Sequence, residues 1–188
     1  MSKKLKVGFG TAGFVLLIIA AVIAYNMFKV QVDLDDGIGL ASEQDSVSDA
    51  ADDRQKAPDF NMTDMDGNSV KLSDFTANGK PIVLNFWASW CPPCVSEMPE
   101  FEKVYKEVGD EIQFVMLNLE TEETGTKHVN DQGYTFPVYF DINSEGRSAY
   151  GIKAIPTTLF IDGGGYIIAV VQGAIDEAKL RTGIEMIR

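Results

Sequence analysis

The chain has 188 residues, 45% hydrophobic and 23% charged, and its 16 Lys and Arg against 28 Asp and Glu leave a formal net charge of −12. That surplus of carboxylates argues against a nucleic-acid partner, because phosphate backbones are held by clustered basic side chains. Two cysteines and one histidine cannot close a tetrahedral zinc site unaided or staple a multi-disulfide scaffold, so the sequence asks for no metal and no cofactor and leaves a single dithiol.

In chain order, the first feature is the uncharged stretch from Val7 to Phe28, 22 residues that would span about 33 Å as a helix, enough to cross a bilayer. Lys3, Lys4 and Lys6 precede it and Asp33, Asp35 and Asp36 follow it. The positive-inside rule therefore predicts a cytoplasmic stub at 1–6, a membrane helix at 7–28 and an extracytoplasmic remainder. A cleaved signal peptide is the rival reading, with Ala21 to Ala24 offering small residues at cleavage spacing, although a secretory apolar core runs only about 7–15 residues. Either reading exports the rest of the chain to a compartment where disulfides persist. Residues 29–56 read as an acidic, flexible linker. From Asp33 to Lys56 there are eight acidic residues, two basic ones and no aromatic, too little apolar surface to offset the entropy of ordering.

Residues 57–188 suit one domain. Phe60 to Leu72, with the turn Asp66-Gly67-Asn68, reads as a small hairpin. Ile82 to Trp87 and Ile112 to Leu119 are apolar runs of strand length, as expected for strands buried on both faces. Between them Met98, Phe101, Val104, Tyr105 and Val108 recur at helical spacing over Glu97 to Val108, which predicts a crossover helix and a parallel strand pair. A weaker helix follows at Glu122 to Gln132, then a short strand at Val138 to Phe140. Thr158 to Ile161 and Tyr166 to Val171 form a second hairpin around Asp162-Gly163-Gly164-Gly165, and a terminal helix starts near Asp176. The sum is an α/β fold with a mixed central sheet flanked by helices.

Trp90-Cys91-Pro92-Pro93-Cys94 falls where the strand Ile82 to Trp87 ends and a helix begins. A thiolate there is stabilised by unpaired N–H groups and the helix dipole, so a thiol pKa near 8.5 can drop to roughly 3.5–7.5. Two intervening residues let the sulfurs bond across one turn, and proline is tolerated in that turn because its missing N–H would be unpaired anyway. Cys91 is the expected nucleophile and Cys94 the resolving thiol. The alternative is a static bridge, but so short a loop removes little unfolded-state entropy.

These residues, with Ala57-Pro58-Asp59-Phe60, Leu72-Ser73-Asp74-Phe75, Asn85-Phe86-Trp87-Ala88-Ser89 and Ile155-Pro156-Thr157-Thr158-Leu159-Phe160-Ile161-Asp162, resemble the TlpA/ResA-like group of membrane-anchored thiol-disulfide oxidoreductases in the thioredoxin superfamily. The resemblance covers the chain from about Ala57 onward and implies a thioredoxin-like fold with a redox-active Cys91–Cys94 disulfide. It implies that Pro156 is a cis proline facing the cysteines, whose neighbouring backbone pairs with an extended substrate segment; an ordinary edge-strand proline is the plain alternative. Trp90, Pro92, Pro93, Ile155, Pro156 and Thr157 are then the expected substrate-binding residues. Glu97 matches the glutamate that ResA-like proteins keep beside their dithiol, placed to tune thiol pKa values and pass protons, though a glutamate early in a helix can simply partner the dipole in water. Asn85 stands where cytoplasmic thioredoxins carry a buried aspartate, and an amide cannot accept that proton. The resemblance implies reduction of disulfides in exported proteins at the cell membrane, fed by a membrane thiol-disulfide electron donor. A disulfide-forming oxidase, a peroxiredoxin-like thiol peroxidase and a non-enzymatic binding module are the alternatives. His128 is expected to be a solvated surface side chain, and Glu120, Glu122 and Glu123 a charged helix start rather than a calcium loop.

Overall fold

The computed structural model describes residues 54–188. The stub expected at 1–6, the membrane helix expected at 7–28 and linker residues 29–53 lie outside the described residues. Among the described residues no helix is long and apolar enough to cross a membrane.

Asn61–Asp64 (β1) and Ser69–Lys71 (β2) pair as the first antiparallel hairpin. A five-residue helix, Leu72–Thr76 (α1), comes next. Then follow Ile82–Trp87 (β3), Pro92–Val108 (α2), Gln113–Asn118 (β4), Glu122–Gln132 (α3), Val138–Phe140 (β5), Glu145–Ala149 (α4), Thr157–Ile161 (β6), Ile167–Gln172 (β7) and Glu177–Ile187 (α5). The sheet has seven strands in the order β2-β1-β5-β4-β3-β6-β7. β3 lies against β4 in parallel and β6 in antiparallel register, so the predicted parallel pair is present.

All six residues of β3 are buried because both faces of the sheet are covered. Side chains alternate along a strand. Val83 and Trp87 accordingly enter the layer that holds Met98, Phe101, Leu180 and Ile184 from α2 and α5, whereas Ile82, Leu84 and Phe86 enter the layer with Phe60 and Leu72. Asn85 has the parity of Val83 and Trp87, which turns this one polar side chain of the strand toward α2. The layer is tight: a Cβ on Gly183 of α5 would sit 2.2 Å from the Phe160 ring. Helix ends follow local chemistry. Thr121 and Asp176 accept N-cap bonds from Thr124 and Lys179, and Gly133 closes α3 in the left-handed region at φ 71°.

Three expectations change. The ordered domain begins before residue 57: the Ile167 amide donates to the Gln55 carbonyl at 2.9 Å and Ala57 N–H to the Gly165 carbonyl at 2.9 Å. Arg54 pairs with Asp162 at 2.7 Å, and the Tyr166 ring lies 4.6 Å from the cations of both Arg54 and Lys56. Those contacts hold residues 54–56 on the β6–β7 hairpin instead of leaving them to a solvated linker. The crossover helix also extends N-terminally beyond the periodic span Glu97 to Val108, to Pro92, where the dithiol motif places a helix start and the two prolines fit a first turn. His128 is half-buried, its ring 5.8 Å from that of Trp87; the β3 face draws it in as Trp87 fills the layer beneath α3.

Candidate active site

Cys91 is the N-cap of α2, with extended backbone (φ −96°, ψ 102°), and Pro92 and Pro93 fill the turn that follows. The proline rings take the two positions whose N–H groups would lack partners, leaving the Cys94 amide to donate to Cys91 Sγ at 3.3 Å. Cys91 and Cys94 are bonded as a disulfide with their Cα atoms 5.3 Å apart. Cys94 is fully buried and Cys91 is 4% exposed, so an incoming sulfur reaches the pair from the Cys91 side.

That side opens on a cleft of about 450 Å³, lined by Trp90, Cys91, Pro92, Pro93 and Ile155, among others. Trp90, 68% exposed, forms its rim. The Ile155–Pro156 peptide bond is cis, and the Ile155 carbonyl oxygen lies 3.7 Å from Cys91 Sγ. Of the six expected substrate-binding residues, Trp90, Pro92, Pro93 and Ile155 line the cleft. Pro156 and Thr157 do not: both are buried behind it, and the Thr157 hydroxyl donates to the Ala154 carbonyl at 2.8 Å. The reason is register, since Thr157 opens β6 opposite Phe86 in the middle of the sheet.

Behind the disulfide lies Glu97, 2% exposed, on the buried face of α2 that also carries Cys94. It is not a solvated dipole partner. Asn85 Nδ2 donates to one carboxyl oxygen at 2.9 Å and the Ile175 amide to the other at 2.9 Å. Burial pushes the carboxyl from its ordinary 4.5 up to about 7, against the opposing pull of the Ile175 and Asn85 hydrogen bonds. Asn85 also donates to Thr158 Oγ1 at 2.9 Å. The amide in place of an aspartate therefore serves as a donor to the buried acid. The arrangement holds a carboxyl that exchanges a proton near neutrality beside a dithiol at a helix N-terminus.

Sequence reasoning missed Glu120, expected only as part of a charged helix start. Its carboxylate accepts the Ser89 amide at 2.5 Å and the Ser89 hydroxyl at 3.0 Å, which pins the loop leading from β3 to Cys91. It also missed Ile175 and Thr158. No local signal marks any of them, because their partners stand 31 to 78 positions away in the chain.

Residues 54–170 match the AhpC/TSA family. The thiol-disulfide oxidoreductase ResA of Halalkalibacterium halodurans is 38% identical over 137 residues, 71% of this chain and 76% of that protein. ResA of Geobacillus kaustophilus is 31% identical over 177 residues, 93% of this chain and 92% of that protein. Among solved structures, a thiol:disulfide interchange protein of the thioredoxin family from Chlorobium tepidum TLS superposes with a TM-score of 0.64 and 28% identity, covering 74% of this chain and 99% of that one.

Proposed function

This chain belongs to the AhpC/TSA family, and from that premise we propose that it is a thiol-disulfide oxidoreductase that reduces disulfides in exported proteins from the outer side of a cell membrane. The observation that carries the reading is the Cys91–Cys94 bridge at the start of α2, open on the Cys91 side and backed by the buried Glu97.

In the reduced protein the Cys91 thiolate, stabilised by the Cys94 amide and the helix dipole, attacks one sulfur of a substrate disulfide. That S–S bond breaks, its electron pair leaves on the second substrate sulfur, and a proton follows. Cys94 then attacks Cys91 Sγ, releases the first substrate sulfur as a thiol and restores the Cys91–Cys94 disulfide. Two electrons have passed to the substrate, and a membrane thiol-disulfide donor returns them to the protein. Glu97, half-protonated near pH 7, supplies and collects protons. An extended substrate segment would lie in the cleft beside Ile155, whose carbonyl is 3.7 Å from Cys91 Sγ.

Two features support the membrane location. The ResA alignment that covers 93% of this chain takes in most of the apolar stretch from Val7 to Phe28. Residues 54–56 join the domain at the turn end of the β6–β7 hairpin, whereas the dithiol lies beyond Trp87, at the end of β3 that pairs with the start of β6. Within the described domain, the point where residues 54–56 join and Cys91 therefore stand at opposite ends of β3 and β6.

The test is the full chain carrying Cys94→Ser, which should accumulate mixed disulfides with exported proteins, identified by mass spectrometry and absent when Cys91→Ser is added. Failure to hold any partner through Cys91 would overturn the exchange reading. A reduction potential as positive as about −120 mV would reverse the direction and make the protein an oxidant. The opening segment Ala57 to Phe60, similar to that of peroxiredoxins, supports a second reading as a thiol peroxidase; peroxide consumption by the reduced chain far above the rate of a free thiol would carry it.

A further inference from the structure

The cleft beside Cys91 is basic in an acidic protein. The chain carries a net charge of −12, yet the cleft is lined by Arg147 and Lys153 and by no carboxylate. Both cations are exposed, and among the described residues neither is in an ion pair, whereas Lys103, Lys106, Lys127, Arg181 and Arg188 all are. Acids on the segments that flank the cleft residues Leu119, Arg147 and Lys153 are already engaged. Asp141 accepts the amides of Gly146 and Arg147, Glu145 accepts the amide and side chain of Asn61, and Glu120 is bound to Ser89. Arg147 Nε donates to the Ile152 carbonyl at 3.4 Å, which ties the guanidinium to the loop leading to Ile155. Trp90 provides an exposed aromatic face on the rim of the same cleft.

We propose that Arg147 and Lys153 select substrates, and that the partner presents an extended segment with Asp or Glu side chains flanking its disulfide. This inference rests on the oxidoreductase reading for its chemistry, since it names the class of substrate taken by that site. An apolar floor would receive the segment while the two cations meet its carboxylates, giving faster encounter and discrimination more than tight binding.

The experiment uses the full chain and three disulfide-closed peptides identical except for Glu, Gln or Lys beside the cysteines. Exposed ion pairs are worth a factor of roughly two to five each, so kcat/KM for the Glu peptide should exceed that for the Gln peptide by up to about tenfold. The advantage should fade as salt shortens the screening length from about 10 Å at 0.1 M to about 3 Å at 1 M. In the Arg147→Gln, Lys153→Gln double variant the ratio should fall to about one, and either single variant should lower it, while Lys179→Gln, which removes one positive charge from α5 outside the cleft, should leave it unchanged. A ratio near one in the unaltered chain, or a ratio that survives the double substitution, overturns the proposal. Binding of dye-labelled peptides with Ser in place of Cys to the oxidised chain, followed by anisotropy, separates the two readings. If no peptide is reduced, the reductase reading fails, and the Glu-over-Gln binding preference still decides this one. Retention on phosphatidylglycerol vesicles that depends on both cations, without any peptide preference, would reassign them to a lipid surface and overturn it as well.

Discussion

The helix α2 carries two buried glutamates in its middle turns, Glu97 and Glu102, and they are treated in opposite ways. Glu102, 7% exposed, is ringed by donors: Lys106 Nζ at 2.8 Å, the Thr135 amide at 2.8 Å and hydroxyl at 2.7 Å, and the Phe136 amide at 3.3 Å. Burial alone would raise its pKa, but the Lys106 cation and those three donors outweigh it and hold the carboxyl below its ordinary value. Glu97 is the more deeply buried of the two and has one amide side chain and one backbone N–H as donors, and no cation. Desolvation prevails there, and the group titrates near 7. Burial marks neither residue as functional by itself. The difference lies in how deeply the carboxyl is enclosed and whether the protein also supplies charge: Glu102, met by Lys106 and the Thr135 and Phe136 donors, ties α2 to the loop before β5, whereas Glu97 keeps a raised pKa.

The largest test of that contrast is Glu97→Gln. On the proposed mechanism it should lower kcat/KM for disulfide exchange by about 100-fold near pH 7 and erase the inflection near 7 from the pH–rate profile. Stability should respond too. The unfolded chain releases the Glu97 proton near 4.5 and the folded chain near 7, so between those values the folded state holds a proton that the unfolded state has lost. Folding stability contributed by this group therefore declines as pH rises from about 4.5 to about 7, by about 3 kcal/mol in all, and is level above that. Denaturant titrations of the full chain across pH 4.5–8 should show the decline in the parent and not in Glu97→Gln. A profile that keeps its inflection in the variant would assign the titration to another group.

Glu102→Ala tests the other half. Removing the acceptor should cost about 2 kcal/mol, because donors at the Phe136 and Thr135 amides lose their partner, while exchange activity and its pH profile stay as they were. Loss of activity without loss of stability would erase the distinction between the two acids. The smallest effect is expected from Asn85→Leu, which withdraws a donor from Glu97 at similar volume. The inflection should move above 7 by less than about one unit, measurable in single-turnover rates against pH; a shift below 7 would mean that water has entered the site and reversed the balance.

Much of this was legible in the chain. The dithiol, its place after an apolar strand and the prolines that begin the helix are written in ten consecutive residues. Alternation in Ile82 to Trp87 already turns Asn85 toward the helix face that bears Glu97. The bounds of Glu122–Gln132 follow from Thr121 and Gly133, since caps act within one turn. Less was legible where segments are short: α1 and α4, five residues each, are too brief to display a helical period. His128 and Glu120 looked like solvated surface side chains because nothing local distinguishes them from their neighbours.

The sequence alone determined the chemistry on offer, one dithiol with a glutamate one turn beyond it, because strand alternation, helix period and capping are interactions over four residues or fewer. Only the tertiary structure decided how that chemistry is set. Sheet order brings Ile175 across 78 positions to Glu97 and seats Arg147 and Lys153 in the cleft of Cys91. Whether a carboxyl is stripped of water or met by a cation depends on which distant elements close around it, and no stretch of chain carries that information by itself.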